Sequence, residues 1–137
     1  MKIKGLYETH LNVRDLGVSI AFYRDILGLP LANVIQSRNI AFFWAPSPDV
    51  GMLGIWETGS SPVNIRSHFA FNVDVVEIEN CVSWLKSKDL KPTDSESAID
   101  EPIVHTWMPA ASVYFSDPDG HSLEFIAKLP DQPRANL

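Results

Sequence analysis

One pattern constrains this chain more than any other: strand, helix and three strands occur in that order, and then again. In the first copy, Leu6-Tyr7-Glu8-Thr9-His10-Leu11-Asn12-Val13 alternates as a strand does, with Glu8, His10 and Asn12 on one face and Tyr7, Leu11 and Val13 on the other. Asp15 then begins a helix whose stripe is Leu16, Ile20, Tyr23 and Leu27, and Gly28 stops it. Strands follow over Leu31 to Gln36, Ile40 to Trp44 and Met52 to Trp56, separated by Ser37-Arg38-Asn39 and by a loop at Pro46-Ser47-Pro48-Asp49. Thr58-Gly59-Ser60-Ser61-Pro62 reads as a linker, and the pattern restarts after it. Ile65 to Val73 is a strand with His68, Ala70 and Asn72 on one face. Asp74 caps a helix with the stripe Ile78, Cys81, Val82 and Leu85. A strand near Lys91 to Ile99, an irregular Glu101 to Pro109, and a closing hairpin complete the copy.

Each copy alone would leave one face of a four-stranded sheet uncovered, so the two should pack together, within one chain or between chains, and enclose a cleft. The expected architecture is α+β: two tandem βαβββ modules, about 5–58 and 63–128, forming a cleft-shaped mixed sheet, with a loose tail at 129–137. Matching the copies by their motifs pairs His10 with His68 and Pro48-Asp49 with Pro118-Asp119, which sets Gly54 opposite Glu124.

The closing hairpin carries the chemistry. Val113-Tyr114-Phe115-Ser116 runs into the tight turn Asp117-Pro118-Asp119-Gly120, and His121-Ser122-Leu123-Glu124-Phe125-Ile126 returns with a carboxylate inside an apolar strand. Buried and unpaired, that carboxylate would cost several kcal/mol, so it needs a cation, a metal or a donor. His10, His68 and Glu124 together form a set suited to one divalent ion (Fe, Mn, Zn, Ni or Co) with about three coordination positions left open. A closed zinc site would draw on cysteines, and Cys81 is the only one, read as a buried small apolar residue. Asn12 and Asn72, beyond each His on the same face, are candidates to contact substrate or the ligands. His121, inside the turn, reads as a surface residue.

The net charge of -6 and the pI near 5.0 argue against sequence-independent nucleic-acid binding. No stretch approaches a membrane span, and Met1-Lys2-Ile3-Lys4-Gly5 leads into no apolar signal core, so a cytoplasmic setting is the expectation.

The duplicated unit, the strand-borne histidines and the closing Asp-Pro-Asp-Gly-His-Ser-Leu-Glu resemble the vicinal oxygen chelate superfamily over residues 5 to 128. That superfamily includes glyoxalase I, extradiol dioxygenases, fosfomycin-resistance enzymes, methylmalonyl-CoA epimerases and metal-free bleomycin-resistance proteins. The resemblance implies that His10, His68 and Glu124 are the metal ligands and that a small substrate chelates through two oxygens. Departures from the family patterns narrow the reaction. Bacterial glyoxalase I has a second carboxylate where this chain has Gly54, and Glu57 lies on the wrong strand face to replace it. Thiol-transferring fosfomycin-resistance enzymes have a Thr where this chain has Asn12. Extradiol dioxygenases show a His, a Tyr and the closing Glu, and here His105, Tyr114 and Glu124 follow at intervals of nine and ten. The first expectation is therefore an extradiol-type dioxygenase with His105 as acid/base and Tyr114 as donor. The alternatives are a glyoxalase-type lyase or isomerase, a fosfomycin-type resistance enzyme, and a non-enzymatic drug- or metabolite-binding protein. Uncovered strand edges and the habit of short members of this superfamily imply a homodimer.

Overall fold

The computed structural model describes residues 1–2, 4–58 and 65–133, and the chain divides into two compact units, Met1–Ile65 and Arg66–Leu137. Each unit is a βαβββ module. In the first, β1 (Glu8–Val13), α1 (Leu16–Ala21), β2 (Leu31–Ile35), β3 (Ile40–Trp44) and β4 (Met52–Glu57) form a sheet in the order β1-β4-β3-β2. The second has β5 (His68–Asn72), α2 (Val75–Ser87), β6 (Ile103–His105), β7 (Ala110–Ser116) and β8 (Ser122–Lys128) in the order β5-β8-β7-β6. In both, the first and last strands pair in parallel and the others antiparallel. These are two mixed four-stranded sheets, the tandem βαβββ arrangement expected from the repeat.

The helices form where caps and stripes favour them. Asp15 accepts the Val18 amide at 2.9 Å, and Glu57 accepts the Leu16 amide at 2.8 Å, so two of the open donors at the start of α1 are satisfied. Glu57 is thereby committed to capping. A π-helical turn over Phe22–Ile26 follows α1 and rotates the face it buries: Ser19, Phe22 and Tyr23 are buried, while Leu16, Ile20 and Leu27 of the expected stripe are half-buried. Gly28 ends the segment at φ +76°, a conformation that suits glycine. In α2 the expected stripe is the buried one: Ile78, Cys81, Val82 and Leu85. Leu11, Val13, Phe43, Leu53, Ile55 and Tyr23 fill the first core, and Val113, Phe115, Leu123 and Ala127 join the α2 stripe in the second.

Several local expectations need correction. Lys91 to Ile99 is not a strand: Pro92 lacks an amide donor, Ser95 turns at φ +89°, and only Thr93 bridges, to Ala98 and Tyr114. The stretch expected to be irregular instead supplies β6, which pairs its three residues with β7. His121 is 2 % exposed, its Nδ1 accepting the Ser67 amide at 3.0 Å while its own amide donates to Asp117 Oδ1 at 2.8 Å. The turn therefore needs an imidazole inside it. Most of the Thr58–Pro62 linker and the end of the tail, 134–137, lie outside the described residues.

The strand registers also revise the repeat. Glu8 pairs with Met52 and His68 with Ser122, so the first residues of β1 and β5 face the first residues of β4 and β8. The residues just before them make the same backbone bond: Met52 N–H donates to Tyr7 O at 2.7 Å, and Ser122 N–H to Ser67 O at 2.9 Å. In this register Gly54 corresponds to Glu124, Phe42 to Tyr114 and Asn12 to Asn72, but the counterpart of His68 is Glu8. His10 corresponds to Ala70.

Candidate metal centre

Strand pairing assembles the site in the second module. Glu124 on β8 lies between Ala70 of β5 and Tyr114 of β7, and His68 stands one pleat from it on the same face. Glu124 is 4 % exposed. Its Oε2 lies 3.2 Å from His68 Nε2, and its Oε1 is buried with no hydrogen-bond partner. The other ring nitrogen orients His68. Nδ1 is 3.0 Å from the carbonyl oxygen of Ser122, which can only accept, so Nδ1 carries a proton and Nε2 is turned toward Glu124. His68 Nε2 and the Glu124 carboxylate, one of whose oxygens is orphaned, are two atoms able to bind a cation set 3.2 Å apart. Ligand bonds of about 2.1 Å at angles of roughly 90–110° bring donor atoms about that far apart. An imidazole whose remote N–H is tied to a backbone carbonyl is also the arrangement that orients metal-binding histidines. The residues fit a divalent ion, although no group of three His, Cys, Asp or Glu is arranged for one among the described residues.

Tyr114 connects this pair to His105. Its ring stacks on His68 with centroids 5.7 Å apart, and its hydroxyl lies 3.3 Å from His105 Nε2. Burial first, and then the adjacent Glu124 carboxylate, raises the pKa of Tyr114, so the phenol stays protonated and able to donate. His68, His105, Tyr114 and Glu124, singled out in the sequence, thus gather on one sheet. Asn72, one pleat beyond Ala70 on β5, shares their face.

In the first module, His10 and Asn12 share the face of β1 with Glu8. Both ring nitrogens of His10 are engaged. The Trp56 indole N–H, which can only donate, reaches Nδ1 at 2.5 Å, which leaves the proton on Nε2 to be donated to Glu8 Oε1. The ring lies against Gly54, packed edge-on to Phe42 and Trp56 at centroid distances of 5.8 Å. Sequence reasoning placed Glu8 on this face without assigning it a role, and it missed Trp56 entirely. The available signal was the Asn12-Val13 and Asn72-Val73 dipeptide, which aligns Glu8 with His68. Burial lifts the Cys81 thiol to about 12 and leaves it unreactive.

Known proteins with this architecture are numerous. Over 130 residues the chain is 30% identical to "Metallothiol transferase FosB" of Staphylococcus haemolyticus, covering 89% of this chain and 82% of the relative. The same enzyme of Lysinibacillus sphaericus is 26% identical, covering 91% and 83%. Among solved structures, an integron cassette protein from the mobile metagenome of a Halifax Harbour sewage outfall aligns at TM-score 0.78 and 36% identity, over 91% of this chain and 99% of that one. The fosfomycin resistance protein FosX of Listeria monocytogenes aligns at TM-score 0.68 and 20% identity, over 94% and 97%, which is a likeness of fold. The sequence model of one family matches residues 5–125, and the chain belongs to the Glyoxalase/Bleomycin resistance protein/Dioxygenase superfamily.

Proposed function

We propose that the chain is a metal-dependent transferase that adds a thiol to a small, oxygen-rich electrophile, with fosfomycin the first candidate substrate. The likeness to metallothiol transferases over nine-tenths of the chain carries the choice of reaction, and the His68–Glu124 pair carries the dependence on metal. The extradiol reading suggested by the spacing of His105, Tyr114 and Glu124 finds no support in these relatives. In the present reading His105 and Tyr114 keep their place at the site but serve a different step.

A divalent ion held by His68 Nε2 and Glu124 would act as a Lewis acid on a substrate oxygen. The rest falls to the protein. Ser122 keeps the His68 ring oriented with Nε2 toward Glu124. The thiol loses its proton to solvent, its sulfur bonds to carbon as the substrate C–O bond breaks, and the departing oxygen gains charge and takes up a proton from solvent. Tyr114 is placed to donate a hydrogen bond to that oxygen, and His105 holds the phenol in position. Asn72, on the same sheet face as Glu124 and His68, serves as a substrate contact.

Phosphorus NMR of fosfomycin incubated with the protein, Mn(II) and a panel of low-molecular-weight thiols tests the proposal. A new phosphonate signal that requires both metal and thiol is expected, with Glu124→Gln slowing its appearance at least about a hundredfold. Unchanged fosfomycin with every metal and thiol would refute the assignment of this substrate.

A further inference from the structure

We infer that His121 is a positioning residue for His68, anchoring the start of β5 from the turn that leads into β8; this rests on the metal reading above. β5 is an edge strand paired with β8, and His68 is its first residue. Strand ends held by few bonds fray, so a ligand placed there needs an anchor beyond the ladder. Ser67, the residue before it, has both backbone groups engaged. Its carbonyl oxygen accepts the Ser122 amide at 2.9 Å, and its own amide donates to His121 Nδ1 at 3.0 Å. The His68 ring is tied to the same place, since the Ser122 carbonyl oxygen accepts from its Nδ1 at 3.0 Å. His121 and Ser122, adjacent in sequence, thus fix the backbone that leads into His68 and the ring of His68 itself.

The His121 imidazole is itself held firmly. It is buried, and because an amide can only donate, its Nδ1 presents a bare lone pair to Ser67. The turn sets the position of the residue. His121 N–H donates to Asp117 Oδ1 at 2.8 Å, its carbonyl oxygen accepts the Asp117 amide at 3.2 Å, and the Asp119 amide donates to the same carboxylate oxygen at 2.9 Å. Asp117 therefore holds His121, His121 holds Ser67, and Ser67 leads into His68. A side chain of similar bulk without an acceptor would leave the Ser67 amide unpaired. Asparagine, by contrast, carries an oxygen at the branch point where histidine carries Nδ1.

NMR of the metal-free protein and Mn(II) binding, followed by the loss of the free-ion EPR signal, test the inference without reference to turnover. In the parent, a ¹⁵N–¹⁵N coupling across the hydrogen bond from the Ser67 amide to His121 Nδ1 is expected, and its absence would overturn the role of His121. His121→Leu should speed hydrogen exchange of the Ser67 amide at least about tenfold while the central β8 amides exchange as in the parent. It should also reduce the ring-current shift that the stacked Tyr114 imposes on the His68 ring protons. Mn(II) binding should weaken roughly tenfold, the scale of losing a group that supports a ligand, and His121→Asn should restore all three properties. Parent-like Ser67 exchange and His68 ring shifts in His121→Leu would overturn the inference whether or not metal binds. So would exchange that speeds up throughout β8, which would make His121 a support of the whole fold. Failure of the parent to bind Mn(II), with the exchange and ring-shift effects present, would overturn the metal reading and leave His121 holding His68 in place.

Discussion

Gly54→Ala puts the packing of His10 to a quantitative test. The Gly54 backbone is open to any residue, so the substitution alone should stabilise by about 0.4–1 kcal/mol through a stiffer unfolded chain. Against that, the new methyl would lie 2.5 Å from His10 Cε1 and 3.2 Å from Cγ, and the ring must move. Overpacking of this kind costs about 1–3 kcal/mol. Displacing the ring also breaks the Trp56–His10 bond, worth about 1 kcal/mol. The net expectation is a loss of roughly 1–3 kcal/mol. In a His10→Ala background the ring is gone, and the same substitution should be neutral or slightly stabilising, giving a coupling of about 2–4 kcal/mol in a double-mutant cycle. Urea unfolding of the four proteins, followed by tryptophan fluorescence, measures it. Additive effects, or a Gly54→Ala protein as stable as its parent, would show that His10 does not occupy the space above Gly54.

His121→Ala should cost about 1–3 kcal/mol, because the Ser67 amide loses its acceptor in a buried setting; a surface histidine would cost almost nothing. The Tyr114 phenol has a raised pKa in the fold, so its contribution to stability is complete below pH 10, the ordinary tyrosine value, and is lost as the pH rises through the higher folded value. Tyr114→Phe should flatten that alkaline decline in a denaturation series, and an identical decline in parent and variant would refute the environment described for Tyr114. Isomerisation of the glutathione–methylglyoxal hemithioacetal should be weak, since Gly54 brings no carboxylate to move a proton; robust turnover would point to a base elsewhere. Light scattering at micromolar concentration should give twice the 15.3 kDa chain mass, and the monomer mass would remove the expected homodimer.

The chain revealed its fold where local and global signals agreed. The α2 stripe from Ile78 to Leu85 and the Asp-Pro-Asp-Gly turn were legible because periodicity and turn chemistry act within a few residues. The buried face of α1 was harder to read, because a π-helical turn inserts a residue into the 3.6 period and no sequence rule marks its place. β6 is three residues long and holds by pairing with β7, a non-local cause. At the site, Glu124 announced itself as a charge in an apolar strand. The pairing of His10 with His68 was less legible, because correspondence between the two modules is set by strand register, which puts Glu8 two residues earlier at the position of His68. The indole of Trp56, which commits the His10 ring, comes from forty-six residues along the chain.

The central claim is that His68 and Glu124 hold a divalent ion. Calorimetric titration of Mn(II) into chelator-treated protein tests it directly, with the parent beside His68→Ala and Glu124→Gln. The account predicts about one ion per chain in the parent and a loss of affinity of at least about a hundredfold in each variant, with their melting cooperative. Parent-like binding in both variants, or no binding by the parent, would contradict it.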